Sequence, residues 1–162
     1  MAIKPIVYIE TTIPSFYVET RSEPDMIARR QWTREWWDNY RSLYDVVTSE
    51  AVLDELEHGD YLNKADALAF VEPIPLLSIE PEIGEIIDAY IRHQVMPRDP
   101  VGDALHLAIA SYHKCDFLLT WNCNHLANAN KFRHIQRVNT LLGLYVPALV
   151  TPLELLGEAE DA

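Results

Sequence analysis

Short apolar runs alternate along this chain with segments of helical periodicity, and that alternation restricts the fold more than any other feature. Residues 6–9, 43–48, 74–79, 117–120 and 144–150 read as strands, most of them continuous apolar runs of the kind buried on both faces of a sheet. Pro75 places the start of the third run at a sheet edge. Between the strands lie helical patterns over 24–41, from Ser49 to the stop at Gly59, over 62–71, 81–93 and 99–113, and from the end of a polar stretch at Asn130 to about 142. Thr11-Thr12-Ile13-Pro14 reads as a break after the first strand, Asp99-Pro100 as a helix start with Asp99 its cap, and Thr151-Pro152-Leu153-Glu154 as a capping box opening a short final helix. Such a chain predicts an α/β fold, a three-layer sandwich whose central, mainly parallel sheet carries helices on both faces. Ligands of such sheets bind in the crevice beyond the C-terminal ends of the strands.

At 162 residues the chain suits one domain, 1–162, with a short acidic tail from about 157. Apolar stretches fall short of the roughly 20 residues a membrane helix needs, and the N-terminus lacks the zones of a signal peptide, so a cytoplasmic protein is expected. Cys115 and Cys123 match no metal-ligand or redox spacing and read as reduced thiols. A net charge of −12 excludes broad, charge-driven binding to nucleic acid, so any such partner must be met locally. Arg29, Arg30 and Arg34 on one helix, and Lys131, Arg133, His134 and Arg137 on another, are the stretches able to do so. Trp32, Trp36, Trp37 and Tyr40 crowd a single helix with more aromatic area than a lone surface helix exposes, which predicts a homodimer.

The acids at strand ends and on buried helix faces carry the chemistry. Glu10 follows the first strand directly, at the rim of the expected crevice. In the helix after Ser49, Val52, Leu53 and Leu56 form the core stripe, Glu50, Asp54 and Glu57 the solvent side, and Glu55 falls at the edge of the buried face. The helix from Asp99 is apolar around nearly its whole circumference, so Asp103 in its first turns needs a partner or a cation, with the helix N-terminus a partial alternative. His106, one turn on, is a core histidine or a ligand, the former favoured. Thr120 and Asn122 close the opposite side of the opening, where Asn122 also suits a turn. There is no HExxH, phosphate loop, GxSxG or EF-hand spacing. Carboxylates converging without Lys or Arg repel one another, and a hard divalent cation, Mg²⁺ or Mn²⁺, relieves that.

Val7-Tyr8-Ile9-Glu10-Thr11-Thr12, Val52-Leu53-Asp54-Glu55-Leu56 with Gly59, Gly102-Asp103-Ala104-Leu105-His106-Leu107-Ala108 and Leu118-Leu119-Thr120-Trp121-Asn122 together resemble the PIN-domain family, in its order and over most of the chain. The resemblance implies a compact α/β nuclease with an acidic Mg²⁺ or Mn²⁺ site, akin to the VapC-like ribonuclease toxins, with RNA as substrate and a cognate antitoxin protein as partner. It makes Glu10, Glu55 and Asp103 the metal ligands, with Thr120 and Asn122 positioning water or phosphate. Two departures stand out: Glu10 replaces the family's usual Asp, and Asn122 replaces an acid. The second motivates a competing expectation, a PIN-like scaffold that binds RNA or protein without cutting. A phosphoryl-accepting signalling domain fits less well, because the paired acids and late Lys it needs are missing.

Overall fold

The computed structural model describes residues 3–95 and 100–157, with Pro100 and Val101 as backbone only. The strands β1 (Ile6–Ile9), β2 (Asp45–Ser49), β3 (Leu76–Leu77), β4 (Phe117–Leu119) and β5 (Ala148–Val150) form one parallel sheet in the order β3-β2-β1-β4-β5. Among the described residues seven α-helices flank it: α1 (Thr12–Tyr17), α2 (Pro24–Glu35), α3 (Glu50–Glu57), α4 (Lys64–Val71), α5 (Pro81–Arg92), α6 (Pro100–Tyr112) and α7 (Ala129–Leu141). This is the three-layer α/β arrangement that the strand and helix alternation predicts.

Successive residues of a strand point to opposite faces, and the two halves of the core follow that rule. Tyr8 and Leu118 pack with α3, α5, α6 and α7, whereas Val7, Ile9 and Leu119 pack with Ile13, Phe16, Trp36, Trp37 and Trp121 on the other face. In α6, Ala104, Leu107, Ala108, Ile109 and Ala110 are all buried, as a helix apolar on every side requires.

Several boundaries differ from the sequence reading for identifiable reasons. Thr12–Tyr17 is a helix where a break is expected, because Pro14 occupies the first turn, whose N–H groups have no helical acceptor to lose. The pattern over 24–41 ends as an α-helix at Glu35, continues as a π-helical turn Trp36–Tyr40 and closes as a 3₁₀ turn Arg41–Leu43. The third and fifth strands are shorter than expected and lie at the sheet's two edges. Ser49 stands at the N-terminus of α3 but makes no side-chain cap. The final helix is a single 3₁₀ turn, Pro152–Leu155, in which Glu154 Oε1 accepts the Thr151 N–H at 3.0 Å. Asp99 and the acidic residues from 158 onward lie outside the described residues.

Much of the aromatic crowd of the second helical segment packs into the core: Trp36 and Trp37 are buried, and the half-buried Trp32 and Tyr40 pack against the same cluster. No helix among the described residues is long and apolar enough to cross a membrane. Cys115 is buried and Cys123 exposed, and both are free thiols.

Candidate active site

Register fixes where the acids meet. Ile9 lies opposite Leu119, so the residues that follow, Glu10 and Thr120, leave adjacent strands side by side at the C-terminal edge of the sheet. The Glu10 N–H donates to Leu119 O at 3.2 Å and the Thr120 N–H to Val150 O at 2.9 Å, which carries the ladder one step past both strands.

Glu10 is not at an open rim: α1 covers it, leaving it 4% exposed. Its Oε1 accepts the Thr12 N–H at 2.8 Å and is in close contact with the Thr12 hydroxyl. Thr120 adds a further side-chain hydrogen bond. Burial pushes the Glu10 carboxyl above its ordinary value, against the opposing pull of His106 and of the Thr12 and Thr120 donors. The same Thr12 hydroxyl oxygen accepts the Trp121 N–H at 2.8 Å, tying the two strand exits together.

Glu55 projects from α3, its side chain 41% exposed, and its Oε1 meets His106 Nε2. Half-burial pushes the Glu55 carboxyl up, but the hydrogen bond and charge of His106, helped by Thr11, outweigh that and hold it below its usual range. His106 is the satisfied core histidine: its Nδ1 lies 2.7 Å from the Tyr8 hydroxyl, which in turn lies 2.7 Å from Ser49 Oγ. The Ser49 hydroxyl expected to cap α3 thus serves a buried chain, Ser49 to Tyr8 to His106 to Glu55.

Asp103 sits in the first turn of α6, half-buried. Its Oδ1 accepts the Asn122 Nδ2–H at 2.9 Å. Burial pushes its carboxyl up, Glu55 adds to that, and His125, Asn122 and His106 pull the other way without cancelling it. Asn122 turns its carbonyl oxygen to the Asn124 and His125 N–H groups, at 3.2 and 3.1 Å, which require an acceptor there. It therefore forms the turn that is one of its two readings, and its amide steadies Asp103. Thr120 is fully buried, accepts the Asn122 N–H at 2.9 Å and donates to Glu10.

Three carboxylates from β1, α3 and α6 thus share one neighbourhood, with His106 acting electrostatically on all of them. Among the described residues no Lys or Arg pairs with these acids; His106 and His125 are the basic side chains that lie among them. Among the described residues, no group of three or more His, Cys, Asp or Glu is arranged to hold a metal ion, and each acid is turned to a protein donor. The donor chemistry nonetheless fits a hard cation. Two of the three carboxyls resist ionisation through burial. His125 Nδ1, whose ring acts on Asp103, is buried without a hydrogen-bond partner. A Cβ added to Gly102 would sit 3.8 Å from Glu55 Oε2, filling space that the carboxylate now faces.

Sequence reasoning missed Tyr8, Ser49, Thr12 and His125. Tyr8 had a readable signal: a phenol inside an otherwise apolar buried strand needs a buried polar partner. A concavity of about 450 Å³ lies elsewhere, lined by Leu126, Phe132, Ala148 and Glu154 among others. Comparisons with models of known protein families, with curated proteins and with solved structures gave no significant match.

Proposed function

We propose that this chain is a PIN-like ribonuclease that hydrolyses RNA phosphodiester bonds with Mg²⁺ or Mn²⁺. One observation carries the reading: acids far apart in sequence, Glu10, Glu55 and Asp103, gather at the C-terminal edge of a parallel sheet, where burial pushes the carboxyls of Glu10 and Asp103 above their ordinary values. Asp103, Glu55 and Glu10 would hold the ion. When bound, it would polarise a phosphoryl oxygen and lower the pKa of a water. The protein's own contribution is positional: Thr12 and Thr120 fix Glu10, His106 fixes Glu55 and Asn122 fixes Asp103.

The test is cleavage of a labelled single-stranded RNA by the full chain with added Mn²⁺. Asp103→Asn should lower the rate at least 100-fold, on the scale that lost transition-state stabilisation carries. Cleavage unchanged by that substitution would remove the site assignment. A second reading, an RNA-binding scaffold without catalysis, is favoured by the internal pairing of every acid, and it predicts binding without cleavage at any Mn²⁺ concentration.

A further inference from the structure

The arginines from Arg21 to Arg34 differ in what holds them. Arg21 gives its guanidinium to the Glu19 carboxylate at 2.7 and 2.8 Å, Arg30 donates to Glu19 O at 3.0 Å, and Arg34 donates to Tyr17 O at 2.7 Å. Arg29 is seated on aromatic rings instead, its guanidinium carbon 5.6 Å from the Phe16 centroid and 5.5 Å from that of Trp121. Among the described residues, no carboxylate or hydrogen-bond acceptor engages it.

An aromatic seat attracts a cation without neutralising it, and it leaves the in-plane N–H donors of the guanidinium unused. The seat is rigid. Trp121 Nε1–H donates to Thr33 Oγ1 at 2.8 Å, Trp32 stacks on Trp121 at 6.0 Å, and Phe16 meets it edge-on at 6.2 Å. Trp121 is also the residue between Thr120 and Asn122, and its backbone N–H bonds to the Thr12 hydroxyl that contacts Glu10. Arg41 has a comparable seat on Trp37, a ring that packs against Tyr17 and Phe70 and not against Trp121.

We propose that Arg29 is the phosphate anchor of this site: its aromatic-seated guanidinium binds a backbone phosphate of the RNA strand whose neighbouring phosphodiester lies over Glu10, Glu55 and Asp103. This rests on the RNA reading above and supplies the local cation that a protein of net charge −12 needs to hold a polyanion.

Fluorescence anisotropy of a labelled, unstructured oligoribonucleotide tests it, with Asp103→Asn as the parent so that the strand stays whole. Adding Arg29→Met, which keeps the stem on the rings and removes the charge, should weaken binding roughly ten-fold. It should also make the slope of log K against log salt less negative by about 0.7, the value of one single-strand phosphate contact. Arg29→Lys should keep the slope, which separates lost charge from lost packing. Lys4→Met, the same charge change before β1 at the far edge of the sheet, should leave the slope alone. An Arg29→Met slope equal to the parent's, an equal change at Lys4→Met, or no RNA binding by the parent would each overturn the anchor. Failure of the nuclease reading shows separately, as an intact chain that binds RNA with the Arg29-dependent slope but never cleaves it.

Discussion

A carboxyl as deeply enclosed as Glu10 takes up a proton more readily in the folded chain than in the unfolded one, because burial opposes its charge more than His106, Thr12 and Thr120 support it. The sign of the pH dependence follows. The folded state binds the extra proton, so this contribution is present below the unfolded value and is lost as pH rises through the raised, folded value. Asp103 shifts in the same direction, while Glu55, held low by His106, works oppositely, contributing stability above its unfolded value that is lost as pH falls through its folded one. Glu10→Gln keeps an acceptor for Thr12 and removes the charge that burial opposes, so it should raise stability at pH 7. It should also flatten the decline of stability between weakly acidic and neutral pH, as read by urea denaturation across that range. A substitution that destabilises at pH 7 would show that Glu10 is there for structure. Glu10 was legible as a residue at a strand end. Its burial was not, because the helix that covers it begins at a Thr-Thr-Ile-Pro segment whose local chemistry reads as a break.

At the scale of elements, β1, α3 and α6 are joined by the chain from Ser49 through Tyr8 and His106 to Glu55. Nothing in helix periodicity announces such a link. Ser49 sits where a cap belongs, and only its 2.7 Å contact with the Tyr8 hydroxyl shows where its side chain is directed. A double-mutant cycle separates the roles. If Ser49 acts through Tyr8, Ser49→Ala and Tyr8→Phe should each cost about 1–3 kcal/mol, and together less than their sum by at least 0.5 kcal/mol. Additive losses would return Ser49 to a purely local role. The π-helical turn at Trp36–Tyr40 was equally hidden, since five residues of altered winding leave the aromatic spacing close to that of an α-helix. By contrast, the body of the helix carrying Asp103 was readable, because an almost wholly apolar circumference from Ala104 to Ala110 has only one place to go in a layered fold.

Across the whole molecule, the parallel sheet brings together what the sequence scatters, and the excess of negative charge is partly concentrated where the strands end. Burial there opposes the charge of two of the carboxyls, and Glu10 and Asp103 are both held above their ordinary values. A divalent ion bound there should therefore stabilise the fold by mass action. At 100 times its dissociation constant the gain is about 2.7 kcal/mol, or roughly 5–10 °C in Tm for a chain of this size. Differential scanning fluorimetry with Mn²⁺, with Mg²⁺ and with a chelator reads this directly, without depending on any RNA. The rise should shrink in Asp103→Asn, which keeps the shape of the side chain and removes its charge. An equal rise in that variant would place the ion elsewhere. No rise in the native chain would mean that His106 and the threonine and asparagine donors already compensate the acids, and the internal pairing seen at each carboxylate would then be the working state of a binding scaffold.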